Sequence, residues 1–185
     1  MQIAVQTEMA DVLRPMEAEA FAAFVEARRD RAVRVAYRML AGDEGAAEDV
    51  AQNAFLRAHR ALSGFRGESS VDTWFYRILV REVQRHRRWR AVRKLWSGDA
   101  ELAPTPVDER ATGDPALRRR IAAALGALSP AQRDVFVLVH LEEQTVAEAA
   151  AVLGKAVGTV KSHLHRALES LRSELADLRK EGRER

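Results

Sequence analysis

The sequence predicts an all-α protein of two small helical domains joined by a flexible linker, and three observations carry that expectation. Apolar residues recur every three or four positions through most of the chain, and alternating β-rich runs are absent. Alanine and leucine dominate the 47% of residues that are apolar, and proline is scarce inside the periodic stretches, so local propensity agrees with the pattern. Between residues 94 and 114 the period stops, and Gly98, Pro104, Pro106 and Gly113 interrupt the chain.

Residues 1–19 read as an N-terminal arm, loose as far as Pro15. In the first domain, residues 20–93, Phe21, Phe24 and Val25 repeat at helical spacing, followed by Ala32, Val35, Ala36, Met39 and Leu40. A break at residues 42–45 leaves Asp43 placed to cap the next helix. That helix gathers Ala47, Val50, Ala51, Ala54, Phe55, Ala58 and Leu62 into one stripe, with Glu48, Asp49 and Gln52 at its edge or outside. A polar loop over residues 63–70 contains Phe65 and Arg66. The following helix has Val71, Trp74, Phe75, Ile78 and Leu79 as its apolar face, with Arg77, Arg81, Arg85 and Arg88 on another.

The second domain, residues 115–180, opens with a helix marked by Ile121, Leu125 and Leu128. Ser129-Pro130-Ala131-Gln132 is a helix start: serine caps, proline takes the first helical position, and glutamine can close a capping box. Thr145-Val146-Ala147-Glu148 is a second such box, opening a short helix that stops at Gly154. After a turn, Val160, Leu164, Ala167, Leu168, Leu171, Leu175 and Leu178 form one long apolar stripe, and residues 181–185 are a short tail.

Charge is segregated more than it is large. The net charge is only +3 with a pI near 9.7, yet residues 77–94 hold eight Arg or Lys against the single acid Glu82. Acids gather at Asp43, Glu44, Glu48 and Asp49. A polyanion suits the basic patch and a basic protein surface the acidic one. The absence of cysteine excludes disulfides, thiolate-bound zinc and a thiol switch within the chain. Glu8 and Asp11 interrupt the N-terminus, which reads as no signal peptide, and the strongest apolar run, residues 135–141, is too short to span a bilayer. A cytoplasmic protein making no membrane contact of its own is expected.

The segment from Thr145 to Arg166 has the layout of a helix-turn-helix: a short capped helix, small Ala150 at the crossing, Gly154 at the turn, then a helix with a polar N-terminal face. Thr159, Ser162, His163 and Arg166 lie opposite the apolar stripe, and Lys161, Ser162, His165 and Arg166 are placed to reach base edges or phosphates in a major groove. An ordinary helical hairpin with a solvated face would share the pattern. The arginines from Arg77 to Arg88 can neutralise phosphates, and Trp74, Tyr76 and Trp89 interleave with them, the chemistry that holds unstacked bases of single-stranded DNA. Trp74 fits the core stripe, so Tyr76 and Trp89 are the aromatics expected at the surface. No metal site is expected. Glu44, Glu48 and Asp49 have no histidine at ligand spacing, and His163 and His165 do not share a face. His140 lies in an apolar helix and reads as half-buried. No nucleophile–base arrangement or phosphate loop is recognisable, so neither an enzyme nor a cofactor is expected.

Several motifs then resemble one family in order. Asp49-Val50-Ala51-Gln52-Asn53-Ala54-Phe55-Leu56-Arg57-Ala58, Phe65-Arg66-Gly67 and Thr73-Trp74-Phe75-Tyr76-Arg77-Ile78 resemble region 2 of extracytoplasmic-function sigma factors of the sigma-70 family. Leu128-Ser129-Pro130-Ala131-Gln132-Arg133 and Gly158-Thr159-Val160-Lys161-Ser162-His163-Leu164-His165-Arg166-Ala167 resemble region 4. The resemblance implies a region 2 helical bundle over residues 20–93 and a region 4 helix-turn-helix over 115–180. It implies a factor that directs bacterial RNA polymerase core to promoters and assists melting, held by an anti-sigma factor until a stress signal.

By that resemblance Asp49, Gln52, Asn53, Phe55 and Leu56 meet the β′ clamp helices of the polymerase, and region 4 meets the β flap. Phe65, Arg66, Ser69 and Ser70 hold a flipped base of the −10 element. Trp74, Tyr76, Arg77, Arg81, Arg85 and Arg88 stabilise the melted strand. Thr159, Lys161, Ser162, His163, His165 and Arg166 read the −35 element. Some positions depart from the pattern: Asn53 stands where glutamate is usual, Arg81 where asparagine is common and His163 in place of a frequent arginine. The turn Glu142-Glu143-Gln144-Thr145 before the helix-turn-helix is unusual for the family. The competing reading, a conventional helix-turn-helix regulator that does not bind polymerase core, leaves the acidic helix and the basic-aromatic helix of the first half without a role.

Overall fold

The computed structural model describes residues 2–97 and 115–176, with side chains for 19–96 and 120–176. The described residues contain helices and turns and no strand. α1 spans Gln2–Met39, α2 Glu44–Ala61 and α3 Val71–Ser97. α4 spans Pro115–Ala127, α5 Pro130–Phe136, α6 Val146–Leu153 and α7 Val157–Glu174. A single 3-10 turn, Leu62–Gly64, follows α2, and a π turn, Val137–Leu141, follows α5.

Helices α1, α2 and α3 pack around a core whose spacing is set by alanine. Ala47, Ala51, Ala54 and Ala58 are all buried on α2, so its backbone approaches its neighbours closely. Aromatic rings fill the remaining space: Phe55 stacks on Phe75 at 4.6 Å, and Phe24 meets Phe75 edge-on at 5.4 Å. Asp43 caps α2 as the sequence predicts, its carboxylate accepting from the Ala46 N–H at 3.1 Å.

In the second half, both expected capping boxes form. The Gln132 N–H donates to Ser129 Oγ and the Ser129 N–H to Gln132 Oε1. At α6 the Glu148 N–H donates to Thr145 Oγ1 at 3.2 Å and the Thr145 N–H to Glu148 Oε2 at 2.8 Å. Gly154 ends α6 at φ 62, a left-handed conformation in which a side chain would be strained. A small core of Ala124, Leu125 and Leu128 from the α4 end meets Ala167 and Leu171 of α7.

The two halves are not separate bodies here. The core of the first three helices runs on without a break into Val135, Val137, Leu138, Ala149, Ala150, Val152 and Val160. Charged groups tie the same joint. Arg87 grips Asp134 through two nitrogens, at 2.8 and 2.9 Å, and also donates to the Met39 carbonyl at the end of α1. Arg133 is buried and donates to the carbonyls of Leu125, Gly126 and Leu128, and across the joint to Met39 at 3.2 Å. Burial, and then the neighbouring Arg87, pull the Arg133 guanidinium down to about 10, so it remains charged at neutral pH.

Three expectations change. The arm expected over residues 1–19 is helical from Gln2, and α1 runs through Pro15. The flanking Ala, Met, Leu, Glu and Arg are strong helix formers, and their summed propensity offsets one proline. Residues 94–97, expected to open the linker, continue α3 to Ser97; residues 98–114 and the tail from 177 lie outside the described residues. His140, expected half-buried, is exposed beside the Phe136 ring. The π turn, with the Glu142 N–H reaching back to the Val137 carbonyl, widens the helix so that Val137 and Leu138 turn inward and His140 outward.

Arg133→Ala removes a guanidinium from four carbonyls, with three of those bonds in buried surroundings. It is expected to cost about 2–4 kcal/mol in urea unfolding, with lysine at this position restoring only part, because one ammonium cannot reproduce the planar fork. A loss below about 0.5 kcal/mol would contradict this account.

Candidate nucleic-acid interface

On α7 the sequence pattern becomes a two-sided helix. Val160, Ala167 and Leu171 are buried, while Thr159, Lys161, Ser162, His165 and Arg166 stand in solvent and His163 is half-covered. Ser162 Oγ donates to the Gly158 carbonyl, and His165 lies 3.3 Å from Glu169. Arg166 extends from the outer face with its guanidinium exposed. Positioned after the short α6 and the Gly154 turn, this face can enter a major groove with the core helices behind it.

On α3 the basic stripe divides. Arg81, Arg85 and Arg88 are exposed, and Arg85 is 3.7 Å from the buried Glu82, which Arg57 also pairs at 2.6 Å. Arg77 is half-covered and donates through Nε to the Ala151 carbonyl of α6. Trp74 is half-buried under Phe65, ring centroids 5.1 Å apart, which ties the loop to the helix. Arg66 is exposed on that loop. Ser70 caps α3, accepting from the Thr73 N–H at 3.1 Å, and the Ser69 hydroxyl donates to the Ser70 carbonyl; these serines have local structural work of their own. Trp89 is 54% exposed, with the Arg93 guanidinium 5.2 Å from its ring centroid.

Two proposed contact residues are not at the surface. Tyr76, expected exposed, is buried, and its hydroxyl donates to Glu142 Oε2 at 2.8 Å. The reason is tertiary: Arg31 of α1 lies over its ring and Glu142, from the turn before α6, meets its hydroxyl. Phe55, expected to touch polymerase, is buried in the aromatic stack with Phe75 and Phe24. On the same helix, Asp49, Gln52 and Asn53 are exposed, and Leu56 is 50% exposed. The Asn53 side-chain amide donates to the Asp49 carbonyl.

The residues that join the halves were not anticipated. Arg31, Arg38 and Tyr76 converge on Glu142, and Arg87 on Asp134. The only sequence signal was the unusual turn containing Glu142. Among the described residues no group of three His, Asp or Glu is arranged to hold a metal ion, and no helix is long and apolar enough to cross a membrane.

Residues 24–93 match the Sigma-70 region 2 family and residues 118–171 the Sigma-70, region 4 family. The chain is 37% identical over 155 residues to the RNA polymerase sigma-E factor of Streptomyces avermitilis, covering 84% of each. It is 33% identical to the ECF RNA polymerase sigma factor SigW of Bacillus subtilis, covering 86% of this chain and 91% of that one. The chain belongs to the extracytoplasmic-function branch of the sigma-70 family.

A sigma factor is a transcription initiation factor that directs RNA polymerase core to promoters. Among solved structures, the sigma factor RpoE in complex with the anti-sigma factor NepR from Bartonella quintana superposes with a TM-score of 0.72 at 25% identity. It covers 85% of this chain and 98% of RpoE. CnrH, in complex with the cytosolic domain of CnrY, superposes with a TM-score of 0.64 at 28% identity, covering 86% of this sigma factor and 90% of CnrH.

Burial of Tyr76, then its hydrogen bond to Glu142 and the charge of that residue, push its phenol well above the ordinary 10. The folded state therefore keeps a proton that the unfolded chain releases near pH 10. The stability this contributes is fully present below pH 10 and is lost as pH rises above it. Ultraviolet titration of phenolate should show a late phase that Tyr76→Phe removes; a Tyr76 that ionises near pH 10 in the folded protein would contradict its burial.

Proposed function

We propose that this sigma factor engages core polymerase through the exposed face of α2 and promoter DNA through α3 and α7. Asp49, Gln52, Asn53 and Leu56 meet the β′ clamp helices, and the second half meets the β flap. Phe55 supports that face from below. The Phe65–Ser70 loop and Trp74, Arg81, Arg85 and Arg88 engage the −10 element and its melted strand. The α7 row Thr159, Lys161, Ser162, His163, His165 and Arg166 reads the −35 element. The observation that carries this reading is the solvent-facing polar row of α7 set behind a capped short helix, together with exposed arginines on a second helix. RpoE is described in complex with the anti-sigma factor NepR, which supports an anti-sigma partner for this chain as well. In this reading the factor acts in the cytoplasm beside polymerase, and the catalytic chemistry belongs to polymerase alone.

Arg166→Ala is expected to weaken promoter binding and relax preference at one −35 position, by about 1–3 kcal/mol if its guanidinium grips a guanine. Arg85→Ala and Arg88→Ala are expected to leave −35 preference alone and to lower the salt slope of binding by about one each. Run-off transcription and salt-dependent binding on single-base promoter variants read both, and an unchanged preference profile for Arg166→Ala would refute its role.

Reversal of charge on α2 tests the other face. Asp49→Arg is expected to abolish core binding while leaving helical content unchanged, because Asp49 is exposed and makes no side-chain contact that the fold needs. Wild-type retention of core polymerase in a pull-down would reject the assignment.

A further inference from the structure

We propose that the last turns of α3 adsorb to an anionic lipid surface, with Trp89, Val92, Leu95 and Trp96 entering the boundary between headgroups and acyl chains. This goes beyond the reading of α3 as a DNA surface and departs from the expectation that the chain makes no membrane contact of its own. Among the described residues no helix is long and apolar enough to cross a membrane, so the contact is with one face of a bilayer.

Val83 is the last buried residue of α3, yet the helix runs on to Ser97. Four apolar side chains stand in solvent on this extension: Trp89 at 54%, Val92 at 55%, Leu95 at 84% and Trp96 at 88% exposure. Spacings of three and four place Trp89, Val92 and Trp96 on one line of the helix, with Leu95 beside it. The charges around that line are all positive. Arg88 and Arg93 flank it on either side, and the Arg93 guanidinium lies 5.2 Å from the Trp89 ring centroid. Arg90 turns to the far side, where it pairs with Asp43, and Lys94 is exposed one turn on. No acidic residue stands between Glu82 and Ser97.

An occupant of this surface has to match both the apolar line and its basic rim. A nucleic-acid strand matches the charge alone: bases stack on flat rings, and the aliphatic groups of Val92 and Leu95 offer no such face. A second copy of the chain matches the apolar line alone, because it would bring Arg88 and Arg93 against their own kind. A bilayer with anionic headgroups over hydrocarbon matches both. Tryptophan is at home where its ring is apolar on one side and its N–H meets the headgroups, aliphatic side chains enter the acyl region, and arginine and lysine meet lipid phosphates. Arg81 and Arg85, also exposed, lie on the same side of the helix one and two turns before Trp89, so the basic rim continues along α3.

The full chain should sediment with vesicles of equal parts phosphatidylglycerol and phosphatidylcholine, and about tenfold less well with phosphatidylcholine alone. Tryptophan emission should move to shorter wavelength on the anionic vesicles, and added salt should weaken the binding. Leu95→Ser and Trp96→Ser together should lower vesicle affinity about tenfold, and Arg93→Gln about fivefold. Circular dichroism should be unchanged in these variants, since all three side chains are exposed. Trp96→Phe should keep most of the affinity. Failure of the wild-type chain to bind anionic vesicles, or equal binding by the doubly substituted chain, would overturn the proposal. Two further results would overturn it in favour of another occupant. Loss of single-stranded oligonucleotide affinity in the doubly substituted chain, with no vesicle binding by the wild type, would give the surface to DNA. Loss of a concentration-dependent dimer, again with no vesicle binding, would give it to a second copy.

Discussion

Burying a charge costs several kcal/mol unless a partner goes with it, and most of the internal order of this protein can be traced to that constraint. Among the described residues four charged side chains are buried: Glu82, Arg133, Asp134 and Glu142. Glu82 is answered within the first three helices by Arg57 and Arg85. The other three lie at the junction between halves, where Arg87, the Met39 carbonyl, Arg31, Arg38 and Tyr76 meet them. Apolar contact brings α6 over α3 without fixing its position. Paired charges fix it, because a shift of a few ångströms would strand a carboxylate in a dry environment.

The helix ends, by contrast, are governed locally. Asp43, Ser129, Thr145 and Gly154 each act on backbone groups within a few residues, which is why the sequence identifies them without knowledge of the fold. The alanine stripe of α2 is equally legible, since helical periodicity puts Ala47, Ala51, Ala54 and Ala58 on one face regardless of the partner. Phe55 falls on that stripe, and its burial follows from its register; the resemblance placed Phe55 itself among the polymerase contacts, whereas its ring is buried.

What could not be read was anything that depends on two distant segments meeting. Tyr76 looked exposed because it lies off the apolar face of its own helix, and it is Arg31 of α1 and Glu142 of a distant turn that meet it. Nothing in the sequence singled out Asp134 or joined Glu142 to a partner, because their partners are far away in sequence. The oddity of the Glu142 turn was visible, but a single sequence carries no distance, and its partners could not be named. His140 fell to the same cause on a smaller scale, since one π turn rotates the residues after it. On the DNA-facing side of α7 the pattern sufficed, because exposure there requires only that nothing pack against the helix.

The covalent connection between the halves sets how firmly any opening must be held. α3 ends at Ser97 and α4 begins at Pro115, so the intervening chain spans at most about 60 Å even when fully extended. A second half confined to that radius remains at an effective concentration on the order of millimolar relative to its docking surface. Were the halves to part, they would re-encounter each other repeatedly, so lasting separation would require one of the two surfaces to be occupied. A spacer made longer or shorter would retune that competition without altering a single contact in the joint.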